Sequence, residues 1–246
     1  MKQSDQKMGR IHSFQSLGTL DGPGLRSVIF MQGCPLRCVC CHNPDTWDLA
    51  GGELISSDEL VERVLRYRSY FGEGGGVTVS GGEPLIQADF VADLFQKLKK
   101  YSIHTCLDTS GVLINGDVER LLSLTDLVML DYKYVSPENY LKYTRCSLSQ
   151  VRSFLSLLNE RKINTWLRYV VIPNLNDSDS DIAALAHVKS EFSCITNVEL
   201  LPFRKLCIEK YQALGIPFPL SDTPEADQDF IDAAYRRFFP ELCEGN

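Results

Sequence analysis

The chain has 246 residues, enough for one substantial core and close to the size of a single α/β barrel domain. Its hydrophobic content of 44% is ordinary for a globular protein, and 25 Lys+Arg against 32 Asp+Glu leave a net charge of −7, which argues against nucleic acid as the partner. No run approaches the roughly 18 apolar residues of a membrane span, and Met1 to Arg10, polar with no apolar stretch behind it, predicts a chain without a secretion signal.

In chain order, Ser27 to Gln32 is an apolar run that ends at Gly33 and predicts a buried strand. A loop extends from there to about Ile55. Ser56-Ser57-Asp58-Glu59 supplies N-cap and acidic first-turn residues for a helix through Leu60, Val61, Val64 and Leu65. After the glycines at 74 to 76, Val77 to Ser80 predicts a second strand, and Phe90, Leu94 and Leu98 recur at helical spacing. The alternation continues with a strand at Ile103 to Asp108, a short helix at Val118 to Leu124 and a strand at Leu127 to Asp131. A helix at Val151 to Leu158, a strand at Thr165 to Ile172, a turn at Pro173 to Asp177, a helix at Ile182 to Phe192 and a sixth strand at Ile195 to Leu201 follow. The tail from Pro217 ends in a helix near Gln228 to Phe239. Six β–α pairs predict a parallel sheet with right-handed crossovers, a partial (β/α)6 TIM-like barrel forming a single domain.

The loop after the first strand carries the chemistry. It reads Gly33-Cys-Pro-Leu-Arg-Cys-Val-Cys-Cys-His-Asn43, with Cys34, Cys38 and Cys41 in a C-x3-C-x2-C pattern and a further thiol at Cys40. Three thiolates in so short a loop converge on something. A [4Fe–4S] cluster accepts three protein ligands and leaves one iron open, whereas a structural zinc wants four. Cys34, Cys38, Cys41 and His42 would make a Cys3His zinc knot, and Cys40 and Cys41 could be surface thiols. Zinc knots pair two separated half-sites, and no second one stands nearby. Nine cysteines, an odd count beside a metal-like cluster, point to a reducing cytoplasm, with Cys106, Cys146, Cys194, Cys207 and Cys243 read mainly as buried thiols.

Chemistry in a parallel β/α fold belongs at the carboxyl ends of strands, and polar residues stand there: Gly81-Gly82-Glu83, Asp108-Thr109 and Asp131-Tyr132-Lys133. Taken singly, each has an ordinary reading as a strand-exit turn or solvated rim. Asp21 to Gly24 reads as a turn, and His12, His104 and His187 as packing or surface residues. Arg168, within an apolar strand, must find an anion or face solvent.

Together these residues resemble the radical S-adenosylmethionine superfamily. Gly9-Arg-Ile-His-Ser-Phe14, Asp21-Gly-Pro-Gly-Leu-Arg26, Cys41-His-Asn-Pro-Asp-Thr-Trp47, His104-Thr-Cys-Leu-Asp-Thr109, Thr125 to Asp131 and Arg168 to Pro173 are similar to its glycyl-radical-enzyme activases, over about residues 9 to 216. The resemblance implies the radical SAM fold, with Cys34, Cys38 and Cys41 holding a [4Fe–4S] cluster whose open iron takes S-adenosyl-L-methionine. Gly81, Gly82 and Glu83 would line the methionine end of that ligand. Asp131, Lys133, Arg168 and Val170 would surround the rest, with Asn43 near the adenine and Arg204 on the adenosine side. Asp108, Thr109, Met129 and Asp131 match a monovalent-cation site of the family. The implied reaction makes a glycyl radical on a partner enzyme, using a flavodoxin- or ferredoxin-type reductant. No cysteine lies between Cys41 and Cys106, so the ferredoxin-like insert of some activases is absent, and the expected partner is a glycyl radical enzyme of the pyruvate formate-lyase kind. Two positions depart from the family pattern: Cys40 replaces an aromatic, and Arg204 replaces a histidine after Leu201-Pro-Phe203.

Overall fold

The computed structural model describes residues 6–243; Met1 to Asp5 of the polar N-terminal stretch and the last three residues lie outside them. Eight strands are formed among the described residues: β1 (Met8–Gly18), β2 (Arg26–Met31), β3 (Glu53–Ser56), β4 (Gly76–Gly81), β5 (His104–Thr109), β6 (Leu127–Asp131), β7 (Thr165–Val171) and β8 (Ile195–Pro202). Their order in the sheet is β3-β1-β2-β4-β5-β6-β7-β8. Six are the strands expected from the sequence, each within two residues at either end. The other two, β1 and β3, are additions: β1 runs antiparallel to both β2 and β3. The pairs β2–β4, β4–β5 and β7–β8 are parallel, as expected.

Two compact units divide the chain, Met1–Pro35 with Thr46–Met129, and Leu36–Asp45 with Leu130–Asn246. In the first, β4 is buried along Gly76 to Ser80, as a parallel strand covered on both faces must be. Helix α1 (Ser57–Leu65) opens on a reciprocal capping box, the Ser56 hydroxyl accepting from the Glu59 amide while the Glu59 carboxylate takes the Ser56 amide. Helix α2 (Ala88–Lys99) buries Val91, Leu94, Phe95 and Leu98, and α3 (Gly116–Leu122) buries Val118, Leu121 and Leu122. Arg26 is fully buried at the start of β2, donating to the Thr78 hydroxyl at 2.7 Å and to the carbonyls of Pro23 and Val77 at 2.9 Å each. Its hydrogen bonds are what make that burial tolerable.

The second unit holds α4 (Pro137–Thr144), α5 (Leu148–Glu160), α6 (Asp179–Glu191), α7 (Ile208–Ala213), α8 (Gln228–Phe238) and α9 (Pro240–Cys243). Along β7 the side chains of Thr165, Leu167, Tyr169 and Val171 are buried and those between them only partly, the period-two pattern of a pleated strand. Helices α5 and α6 each begin on a capping box, Ser147 with Gln150 and Ser178 with Asp181. The tail is helical as expected: α8 ends against buried Phe239, and Pro240 follows. Among the described residues, no helix is long and apolar enough to cross a membrane.

Candidate active site

In the first unit the site residues gather where β2 and β4 end. The Gly82 amide donates to the Met31 carbonyl at 2.9 Å, and the Glu83 amide to the Gly33 carbonyl at 2.8 Å. A Cβ on Gly82 would lie 2.1 Å from the Gly33 oxygen, so this crossing of two backbones admits only glycine. Glu83 is 1% exposed. One of its oxygens accepts from the Leu85 amide at 3.1 Å and the Thr109 hydroxyl at 2.6 Å. The other accepts from the Ser110 amide at 2.9 Å and from the Ser110 hydroxyl. Four donors fill the acceptor capacity of a carboxylate, and they fix the turn after β5. Asp108, in β5, accepts from the Ser80 hydroxyl at 2.6 Å, and Met129 is fully buried in β6. Cys34 is half-buried.

The second unit contains Cys38, Cys40 and Cys41, the first buried and the others half-buried. Their loop is held by its own backbone and by two distant elements. The amides of Arg37 and Val39 donate to the carbonyls of Thr144 and Tyr143 at the end of α4, at 3.3 and 3.0 Å. From α7, the Tyr211 hydroxyl donates to the Cys41 carbonyl at 3.2 Å. Lys210 reaches the Asn43 side-chain oxygen at 2.8 Å and pairs with Asp45 at 3.0 Å. The His42 ring lies 3.0 Å from the Arg204 carbonyl, and the Arg204 guanidinium donates to the carbonyls of Ala226 and Phe203.

Beyond β6, Lys133 and Asp131 form an ion pair at 2.7 Å. Burial works to raise the Asp131 carboxyl, but Lys133 and Arg168 outweigh it and hold it below the ordinary carboxylate range. Burial opposes charge on Lys133 as well, yet Asp131, Cys38 and Cys40 together keep its ammonium well above its usual value. Burial pushes the Cys40 thiol up to about 11, with Lys133 pulling the other way. Arg168 finds its anion in Glu199, 3.4 Å away. Buried Asn176 donates to the carbonyls of Val170 and Lys133 at 2.9 and 3.1 Å, bracing both strand ends.

Two kinds of residue here escape sequence reasoning. Lys210, Tyr211 and Asn176 act from short or irregular segments whose pattern carries no chemistry. Tyr134 is the other: it is 1% exposed, its hydroxyl has no hydrogen-bond partner, and its ring lies against Tyr143 with centroids 5.1 Å apart. Burial, and after it the thiols of Cys40 and Cys38, drive the Tyr134 phenol far upward, so its proton stays on.

Among the described residues, no three His, Cys, Asp or Glu side chains are gathered into a ready metal-holding group. The donors nonetheless suit an iron–sulfur cluster. Residues 34 to 43 offer soft thiols and no carboxylate, the donor chemistry that an iron–sulfur cluster takes. Fold and loop together define an α/β protein whose first parallel strand is followed in sequence by a cysteine-rich loop.

Residues 28–186 match the family model of the Radical SAM superfamily. The chain is 43% identical over 223 residues to the pyruvate formate-lyase-activating enzyme of Clostridium pasteurianum, spanning 90% of this chain and 93% of that one. It is 40% identical over 236 residues to the enzyme of that name from Staphylococcus aureus (strain USA300), spanning 93% and 94%. Among solved structures, a radical SAM methyltransferase from Sphaerobacter thermophilus superposes with a TM-score of 0.62 at 14% identity, over 88% of this chain and 64% of that one, a likeness of fold. The chain belongs to the radical SAM superfamily and, within it, to the family of pyruvate formate-lyase-activating enzymes. It is therefore a radical SAM enzyme, and its cofactors are a [4Fe–4S] cluster and S-adenosylmethionine. The zinc-stabilised binding module falls away.

Proposed function

We propose that the protein activates a glycyl radical enzyme of the pyruvate formate-lyase type, with Cys34, Cys38 and Cys41 as the three cluster ligands. The observation that carries this reading is the cysteine loop of the second unit, tied down by α4 and α7 and set beside the Lys133 ammonium. When bound, the cluster and S-adenosylmethionine supply reductive cleavage of the sulfonium and a 5′-deoxyadenosyl radical that takes hydrogen from a backbone glycine.

The chain's own residues bind and orient. Gly81 and Gly82 present backbone without side chains, and Glu83, its oxygens filled, holds the Thr109–Ser110 turn in place. Asp131, Lys133, Arg168 and Val170 would surround the rest of S-adenosylmethionine, with Asn43 near its adenine and Arg204 on its adenosine side. Asp108, Thr109, Met129 and Asp131 are the proposed donors to a monovalent cation. Hydrogen-atom transfer needs no general base, which accounts for the lack of an acid–base dyad among these residues. The electron donor is a flavodoxin- or ferredoxin-type protein.

Electron paramagnetic resonance tests the reading. The protein is reconstituted without oxygen and mixed with S-adenosylmethionine, a strong reductant and a pyruvate formate-lyase. A glycyl-radical doublet is expected, and it should vanish with Cys38→Ala. A cluster signal that shifts with S-adenosylmethionine but yields no doublet would remove the partner assignment. A colourless protein with no cluster signal would remove the whole reading.

A further inference from the structure

A buried hydroxyl without a partner is costly and calls for a reason. Among buried tyrosines of the second unit, Tyr140 and Tyr169 have theirs: their hydroxyls donate to the carbonyls of Asp131 at 3.4 Å and Asn176 at 3.1 Å. Two have none, Tyr132 and Tyr134. Arg152 acts on the Tyr132 phenol, which leaves Tyr134, 1% exposed. Its ring is fixed on two sides, tilted against Tyr143 and edge-on to Tyr140 at 6.4 Å. Tyr143 in turn accepts the amide of Val39, the residue between Cys38 and Cys40. The ionisable groups that act most strongly on the phenol are the thiols of Cys40 and Cys38, followed by Lys133. The unmatched donor therefore stands in a neighbourhood where the strongest acceptors to come are sulfurs.

We propose that Tyr134 donates its hydroxyl hydrogen bond to a sulfur of the bound cluster on the Cys38 side, and so helps to retain the cluster and to set its reduction potential. The proposal rests on the cluster reading above. It explains why the hydroxyl is kept: unsatisfied in the apoprotein, it becomes a charge-assisted donor once thiolate and sulfide are in place. A hydrogen bond to cluster sulfur stabilises the reduced, more negative state and raises the potential. Residues that support a metal ligand in this way change metal retention by roughly 10–100-fold when removed.

The test is Tyr134→Phe, which deletes only the hydroxyl, with Tyr140→Phe as the comparison. In apoprotein, Tyr134→Phe should be as stable as wild type or more so, since an unsatisfied polar atom has been removed. In reconstituted protein the same change should lower the potential in a spectroscopically monitored redox titration. It should also speed cluster loss to a chelator by about tenfold. Resonance Raman spectra in H2O and D2O locate the bond: wild type should show a deuteration shift that Tyr134→Phe lacks, in the terminal Fe–S modes for the Cys38 thiolate or the bridging modes for sulfide. Tyr140→Phe should leave potential and deuteration shift unchanged. An unchanged potential and retained deuteration shift in Tyr134→Phe, with the cluster present, would overturn the proposal. So would equal effects from both variants. Absence of a cluster in wild type would instead remove the reading beneath it.

Discussion

Glu83 shows how one residue can be visible in a sequence while its work is not. A carboxylate after two glycines at a strand end reads as a ligand-binding group, yet here both oxygens are filled by protein donors from Leu85, Thr109 and Ser110. Glu83→Gln would replace one acceptor with an amide that faces donors. The expected cost is about 2–4 kcal/mol of folding stability, because a buried polar contact becomes a clash of like hydrogen-bonding groups. Denaturant unfolding of the apoprotein measures it; a loss below about 0.5 kcal/mol would mean that the brace is dispensable. Cysteine spacing, by contrast, is legible at once, because three thiols within eight residues mark a soft-donor loop whatever the rest of the chain does. Tyr134 is not legible: nothing in the residues that flank it in the chain says that its hydroxyl will be buried without a partner.

At the level of elements, the strongest dependence lies between the cysteine loop and α7. Lys210 and Tyr211 reach back across 167 and 170 residues to Asn43 and Cys41. Lys210→Met together with Tyr211→Phe should cost about 1–2 kcal/mol and should speed amide exchange in residues 36–45 without disturbing α2 or β4. Hydrogen-exchange mass spectrometry on the apoprotein shows whether the effect is local; uniform acceleration across the chain would contradict a latch. This dependence could not be read beforehand, since α7 spans only Ile208–Ala213 and is defined by what it touches. The same limit hid β1 and β3. Along β1 only Gly9, Ile11 and Gly18 are buried, so the segment lacks the apolar run that announced β2. Where burial was continuous, as in β4 and β6, or alternated regularly, as in β7, or where a cap was written out, as in Ser56 to Glu59, sequence and structure agree closely. Long-range polar ties carry no such periodicity.

Acid should unfold the whole molecule in two stages, both of the same sign. Burial lowers His42 and His104 from their usual value, so the unfolded chain takes up protons first and stability begins to fall below about pH 6.5. The second stage belongs to carboxylates. Burial tends to raise Asp93, Asp126 and Asp131, but Ser57 and Lys97 hold the first below its ordinary range, Lys99 and Thr105 the second, and Lys133 and Arg168 the third. A folded pKa below the unfolded one contributes stability that is present above the usual carboxylate range of about 4 and is lost as pH falls through the folded value. Urea midpoints of the apoprotein should therefore decline slightly between pH 7 and 5 and steeply below about pH 4. A midpoint that rises on acidification through this range would contradict both groups of shifts.

The discontinuous second unit also sets a timetable. Its cysteine segment, residues 36–45, leaves the ribosome long before the rest of that unit, Leu130 onward, has been made. Tyr211, which closes on the Cys41 carbonyl, follows 170 residues later. At a synthesis rate of about 5–20 residues per second, the nascent thiols wait roughly 10–30 s before their last tether exists. During that interval they are ordinary cysteines on an unfinished chain, open to oxidants and to stray metal ions. That exposure belongs to an interval of synthesis and not to the finished protein, and it ends only when α7 has been made.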